Sequence, residues 1–241
     1  MIPITDMHCH VLPGVDDGSK SMEESIQCLK TAAEQGIQSM IVTPHFHPGR
    51  YKVDAQNVLE TLERLREACR DNEIPITLYP GQECYWYSEL IQELDKGNAL
   101  TMNNGKYVLV EFEPGTLYSM IYGAVRDLFS AGYMVIIAHF ERYQCLQGRR
   151  DRLDELKGCG ALLQMNFDRL IKKDTLFSKN PWRKLVKDEY VDFLGSDTHG
   201  VDFRPLHVDQ VRTWIEKELD PELADRILVQ NIRLLLEGRQ V

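Results

Sequence analysis

Residues that can bind metal recur at the ends of β-rich runs in this chain, and no other feature constrains the fold as tightly. Short β-prone runs at 2–7, 38–43, 76–79, 107–112, 134–138, 161–165 and 191–194 alternate with amphipathic stretches at 21–35, 54–71, 88–96, 117–131, 152–157 and 182–186. Two further helices are expected at 208–218 and 221–235. Repeated strand–helix units predict a parallel sheet with right-handed crossovers. About seven main strands are expected, one short of a regular eight-stranded α/β barrel. Ser21 and Glu24 have capping-box spacing, and Gly36 supplies the stop of that helix. Asn103-Asn104-Gly105, between 100–102 and 107–112, reads as the turn of an extra short hairpin. No repeat, low-complexity tract or Pro/Ser-rich linker divides the 241 residues, so a single domain over 1–241 is expected.

The strand ends carry the chemistry. The first run ends in His8-Cys9-His10, the second in Thr43-Pro44-His45 and the third in Gly81-Gln82-Glu83. The fourth carries Glu111, the fifth ends in His139, and the last ends in Asp197-Thr198-His199. In a parallel barrel the C-terminal strand ends converge on one mouth. Alternation also puts both histidines of His8-Cys9-His10 on one face, with Cys9 packed on the other. A lone buried histidine is ordinarily a hydrogen-bonded core residue. Six strand ends each bearing His, Asp or Glu are a different matter, and imidazole with carboxylate suits zinc, manganese or iron. His47 and His207 lie off these ends and read as surface or supporting residues.

Several chemistries are excluded. A cysteine phosphatase needs Arg six positions after its nucleophile, but the positions six beyond the 6 cysteines hold Val15, Glu34, Pro75, Leu90, Asp151 and Met165. GxSxG and GxxxxGK motifs are missing too. With 28 Lys+Arg against 37 Asp+Glu, the formal charge of −9 argues against nucleic acid and anionic lipid as partners. The most apolar stretch, 117–140, is interrupted by Arg126 and Asp127, short of the roughly 18 apolar residues of a membrane span. Asp6 comes early and the first basic residue is Lys20, unlike a signal peptide. Scattered cysteines without a CxxC pair fit reduced thiols and a cytoplasmic location.

Taken together, the motifs resemble a known family. The opening from Asp6 to Gly18 (DMHCHVLPGVDDG) is similar to the first motif of the PHP (polymerase and histidinol phosphatase) superfamily. Thr43-Pro44-His45 with Gly49 and Tyr51, Gly81-Gln82-Glu83, Val110-Glu111, His139-Phe140-Glu141-Arg142-Tyr143 and Ser196-Asp197-Thr198-His199 with Arg204 resemble one branch of it. That branch comprises the manganese-dependent protein tyrosine phosphatases of bacterial capsule and exopolysaccharide clusters. The resemblance runs from the first strand to about Pro205. It implies a distorted (β/α)7-type barrel. It also implies that His8, His10, Asp17, His45, Glu83, Glu111, His139, Asp197 and His199 hold two or three Mn²⁺ ions, with Zn²⁺, Fe²⁺ or Mg²⁺ as substitutes. Asp17 is preferred to Asp16 because the family's ligand directly precedes Gly. Arg142 and Arg204 match the phosphate-binding arginines, and His45 or His199 would protonate the leaving phenolate. Phe46, Tyr51, Phe140 and Tyr143 flank the ligands and are candidates to pack against a phosphotyrosine ring.

The substrate implied is a phosphotyrosine protein, a bacterial tyrosine kinase that controls polysaccharide export. The nearest alternative is histidinol phosphate or another small phosphomonoester on the same metals. A nuclease is disfavoured by the charge, and a silent binding scaffold by the full ligand set. Two departures from the family pattern are Phe140, where Pro is usual, and Asn231-Ile232 in place of Asn-Pro.

Overall fold

The computed structural model describes residues 4–51, 53–171, 180–201 and 203–241. Ile2 and Pro3 of the first expected strand lie outside the described residues. Nine strands form among them: β1 (Ile4–Cys9), β2 (Ile37–Val42), β3 (His45–Phe46), β4 (Thr77–Pro80), β5 (Glu83–Tyr85), β6 (Tyr107–Glu111), β7 (Met134–Ile137), β8 (Leu162–Asn166) and β9 (Phe193–Gly195). All the pairs between them are parallel. One sheet has the order β1-β2-β4 and the other β3-β5-β6-β7-β8-β9.

The two sheets are parts of one curled wall. β2 and β3 are halves of a single run parted at Thr43-Pro44, and β4 and β5 are halves of another parted at Gly81-Gln82. Nine strands therefore make seven staves, as the sequence predicts. Proline has no N–H to give to the ladder at the first break. At the second, the Gln82 side chain is diverted: it accepts from the Leu100 N–H (2.9 Å) and donates to the Val53 carbonyl (3.3 Å). The last stave returns to the first through Asp197 N–H to His8 O (2.8 Å) and His10 N–H to Thr198 O (2.9 Å).

Alternation sorts the side chains. Along β6, Val108 and Val110 face the layer beneath the helices, whereas Tyr107 and Leu109 point into the barrel. Glu111 continues the inward register at the C-terminal end of the strand. Inside, Met7, Ile41, Leu109, Ile136, Ala138 and Phe193 pack on Ile232 and Leu235 of the last helix, which stops the barrel floor. Each buried aliphatic side chain of this kind contributes about 1.5–3 kcal/mol.

The helices differ little from expectation. Helix Met22–Glu34 is capped by Ser21, whose side chain accepts from the Glu24 N–H (3.3 Å). Glu24 in turn accepts from the Lys20 N–H (2.8 Å), one residue earlier than a capping box requires. Helix Ala55–Asp71 is capped in the same way by Asp54.

One expectation is corrected and another is refined. The hairpin does not form: 102–104 is a single 3₁₀ turn, with φ of 50° at Asn103 and 55° at Asn104. Leu100 gives its N–H to Gln82, and Met102 is buried in the barrel core, so 100–102 has no strand to pair with β6. Both neighbours of β6 are parallel strands instead. The single helix expected over 221–235 runs without a break from Pro221 to Leu236, but it contains a π turn at Arg226–Gln230. The wider turn faces Asn231 toward the sheet, where its side-chain amide donates to the Asp192 carbonyl (2.9 Å).

Candidate metal centre

Every strand-end residue predicted from the sequence arrives at the same mouth. A β-bulge between Asp6 and Cys9 lets Met7 fill the barrel while His8 and His10 turn into the site above it. Cys9 points the other way, with its thiol donating to the Ile41 carbonyl (3.4 Å). His45 and Glu83 sit in register on paired β3 and β5. His139 (φ 30°), Asp197 (φ 52°) and Arg204 (φ 49°) have left-handed backbones. Such conformations cost about 1–3 kcal/mol each and persist where the surroundings over-determine them, typically at functional sites.

The ligand atoms form three overlapping groups. In the first, His8 Nε2 and His10 Nε2 each lie 3.2 Å from Glu83 Oε2, and 3.7 Å and 3.5 Å from Asp197 Oδ1. In the second, His45 Nδ1 lies 3.3 Å from Glu83 Oε2 and 3.0 Å from Glu111 Oε1. His139 Nε2 reaches the same pair, 2.6 Å from Glu83 Oε1 and 3.9 Å from Glu111 Oε2. In the third, His45 Nε2 and His199 Nε2 lie 3.5 Å and 3.6 Å from Asp17 Oδ1, with His10 alongside. Within each of the sets His8–His10–Glu83–Asp197, His45–Glu83–Glu111 and His10–Asp17–His45–His199, the ligand atoms lie within 4.8 Å of one another.

Outer hydrogen bonds aim the imidazoles. Asp16 Oδ2 sits 2.7 Å from His10 Nδ1, and Gln164 Oε1 sits 3.0 Å from His8 Nδ1. The Asp197 carbonyl is 2.9 Å from His199 Nδ1. These oxygens can only accept, so the proton belongs on Nδ1 and the Nε2 lone pair faces the cluster. At His139 the partner is the Tyr143 hydroxyl (3.4 Å), which donates to the Ala138 carbonyl (2.9 Å). His45 differs, with both nitrogens turned to carboxylates.

The electrostatics are those of a cation site. Burial alone would raise Glu83 and Asp197, yet the surrounding His8 and His139, with Arg142 at Asp197, pull both below the usual carboxylate range. Burial lowers His10, but Asp16 and Glu83 outweigh it and hold the ring well above its ordinary value. Burial, His10 and Arg204 push His199 down to about 3. Glu83 Oε1 and Oε2 and Asp197 Oδ1 are buried without a hydrogen-bond partner. Buried carboxylate oxygens left unpaired are costly unless they meet a metal, so the donor set fits divalent cations.

Four supporting residues carry no signal in the strand-end pattern. Gln164 and Asn166 alternate inward on β8, the stave without an ionisable end. Gln164 also accepts from the His139 N–H (2.8 Å), and Asn166 donates to Asp197 Oδ2 (2.8 Å). Asp16, passed over in favour of Asp17, is a buried brace that also accepts from the N–H groups of Gly18 (3.0 Å) and His45 (2.9 Å). Asp6 accepts from the Ser196 N–H (2.8 Å) and ties the closing stave to the first. Asp6, two positions before His8, and Asp16, directly before Asp17, lie next to ligands in the sequence, whereas Gln164 and Asn166 lie near none.

The arginines and aromatics need closer description. Arg142 and Arg204 both reach Asp197 Oδ2, Arg204 at 3.3 Å. A cavity of about 240 Å³ opens beside them, lined also by Asn166, Ser196 and His207. Of the four aromatics expected at the rim, Phe46, Phe140 and Tyr143 are buried in packing. Phe140 meets Trp182 edge to face at 6.3 Å. Tyr51 remains at the mouth, stacked on His45 at 5.4 Å. His47 stacks on Tyr85 at 4.2 Å.

Comparison with known proteins follows this geometry. The chain is 33% identical over 240 residues to the tyrosine-protein phosphatase YwqE of Bacillus subtilis, covering 98% of this chain and 92% of that one. It is 28% identical over 236 residues to the tyrosine-protein phosphatase CpsB of Streptococcus pneumoniae, covering 96% and 97%. A crystal structure from the pair YwqE and CpsB, metal-dependent tyrosine phosphatases of those organisms, matches with TM-score 0.88 at 33% identity, covering 99% of this chain and 96% of that one. An amidohydrolase from Mycoplasma synoviae shares the barrel fold alone, with TM-score 0.60 at 14% identity over 98% of this chain and 88% of that one. The family described as capsular polysaccharide synthesis, CpsB/CapC, matches residues 4–237, and the chain belongs to it.

Proposed function

We propose that the chain is a metal-dependent protein tyrosine phosphatase acting on a bacterial tyrosine kinase of capsule or exopolysaccharide synthesis. His8, His10, Asp17, His45, Glu83, Glu111, His139, Asp197 and His199 hold two or three divalent ions, manganese in the cell. The observation that carries this reading is the set of buried, unpartnered oxygens of Glu83 and Asp197 facing the Nε2 atoms of His8, His10 and His139. Divalent ions, when bound, supply Lewis acidity for phosphomonoester hydrolysis.

The chain's own residues do the rest. Arg142 and Arg204 bring forked donors to the rim, and an anchored guanidinium still has N–H groups free for phosphoryl oxygens. Burial lowers His45, but Glu83 and Glu111 outweigh it and the net shift is upward. His45 and His199, at the edge of the cluster, are the two candidates to protonate the leaving phenolate. Among the described residues no helix is long and apolar enough to cross a membrane. The six free cysteines fit a cytoplasmic setting.

The test is turnover of a phosphotyrosine peptide against histidinol phosphate, with Mn²⁺ and with chelator, alongside elemental analysis of the protein purified without chelator. Two or three metals per chain and a preference for the peptide are expected. Fewer than one metal per chain after Mn²⁺ addition, or a preference for histidinol phosphate, refutes the reading.

A further inference from the structure

We propose that Phe203 is the platform for the phenyl ring of an aryl phosphate, and thereby the residue that makes this site favour phosphotyrosine over alkyl phosphates. The inference rests on the phosphatase reading above and names a specificity determinant for it.

Phe203 is 60% exposed, one of the few large apolar side chains left uncovered among the described residues. It stands beside the metal cluster, meeting the His199 ring edge to face at 6.0 Å. The Arg204 guanidinium carbon lies 5.2 Å from its ring centroid. The same guanidinium reaches Asp197 Oδ2 and His199 Nε2, both at 3.3 Å. A phosphate on Arg204 therefore leaves its ester group next to Phe203: the adjacent charged and aromatic parts of phosphotyrosine match adjacent residues of the chain.

The platform is held in place. The Thr198 hydroxyl donates to the Arg204 carbonyl at 2.8 Å, tying the loop back to the end of β9. The other aromatic candidates are less exposed. Phe46, Phe140 and Tyr143 are buried, and Tyr51 is stacked on His45. An aromatic ring placed on another at 4.5–7 Å adds about 0.5–1.5 kcal/mol beyond the area it covers. An alkyl phosphate has no ring to gain from this.

The experiment compares phenylphosphonate with methylphosphonate, neither of which is hydrolysed, by calorimetric titration of the manganese-loaded protein. The wild type is expected to prefer phenylphosphonate by about tenfold or more. Phe203→Ala should remove that preference without changing the methylphosphonate affinity, while Phe203→Trp and Phe203→Tyr keep it. In turnover, Phe203→Ala should raise KM for a phosphotyrosine peptide about tenfold, with kcat within about twofold. Phe203→Ala that keeps the phenyl preference, or that weakens both phosphonates equally, overturns the proposal. A wild type that prefers phenylphosphonate yet hydrolyses no phosphotyrosine overturns the phosphatase reading and leaves the platform standing.

Discussion

The guanidinium of Arg142 donates to Oδ2 of Asp197, leaving Oδ1 of that carboxylate facing the Nε2 atoms of His8 and His10. Arg204 and the Asn166 amide reach the same Oδ2. In the proposed assignment this one carboxylate joins the metal ligands to the phosphate-binding arginines, and its orientation has three independent supports.

That redundancy sets the outcome of arginine substitution. Arg142→Ala or Arg204→Ala should leave metal content near wild type, because two of the three contacts to Oδ2 survive. Each should lower kcat/KM roughly ten- to a thousandfold, since a charge-assisted contact to a phosphoryl group is worth about 1.5–4 kcal/mol. Lysine should rescue only in part. Glu111→Ala and His10→Ala should lose metal and activity together. Elemental analysis beside steady-state kinetics separates these, and arginine variants that shed metal as the ligand variants do would contradict the assignment.

Gln164 joins two histidines, accepting at His8 Nδ1 and from the His139 N–H. Removing such a partner of a ligand typically costs about 10- to 100-fold in metal affinity. Gln164→Ala should show that loss in a competition titration with a chelating dye. Unchanged affinity would mean that His8 is oriented by packing alone.

Thiol chemistry should be irrelevant to turnover. Cys9, Cys28, Cys69 and Cys84 are buried, and burial raises all four thiols. Cys145 and Cys159 are partly exposed, but they line neither the metal groups nor the cavity beside Arg142 and Arg204. Iodoacetamide should therefore leave phosphotyrosine hydrolysis intact while EDTA abolishes it. The reverse pattern would point to a cysteine nucleophile.

Asp6 links pH to the closure of the barrel. Burial raises it to about 6, although the Ser196 hydroxyl and N–H and the His8 N–H oppose the shift. A carboxyl raised in the folded state adds stability that is full below its unfolded value near 3.8 and is lost as pH rises through about 6. The change is on the order of 3 kcal/mol. In the metal-free protein, Asp6→Asn should flatten the dependence of denaturation midpoint on pH across this window. A slope equal to that of the wild type would show that Asp6 does not titrate there.

Gly195 allows β9 to approach β1. A Cβ at this position would come within 2.7 Å of the His8 Cβ. Gly195→Ala should cost about 1–3 kcal/mol by overpacking and displace His8. Chemical denaturation with metal titration measures both effects. A variant of full stability and full metal affinity would show that the strands can part without consequence. Gly18, whose added Cβ would fall 2.1 Å from the His10 carbonyl, plays the same part for the loop that carries Asp16 and Asp17.

The alternation of β-rich and amphipathic runs was enough to foresee seven staves, because periods of 2 and 3.6 are written directly in the order of residues. The imidazoles and carboxylates could be assigned to one mouth for a related reason. Parallel strands put all their C-terminal ends at one pole, so a ligand at the end of a strand is at the site wherever its partners lie in the chain. What the residue order could not convey were relationships across space. Gln164 and Asn166 matter because β8 lies between β7 and β9, and Asp16 because its loop folds back under His10. Asn103-Asn104 took the left-handed conformations of a hairpin turn, yet Leu100 found Gln82 and no strand formed. Phe140 and Phe203 each lie beside a residue of the site, and nothing local distinguishes them. Phe140 was buried against Trp182 while Phe203 was left in the open, because burial depends on which other segments arrive, and that is settled only when the whole chain has closed.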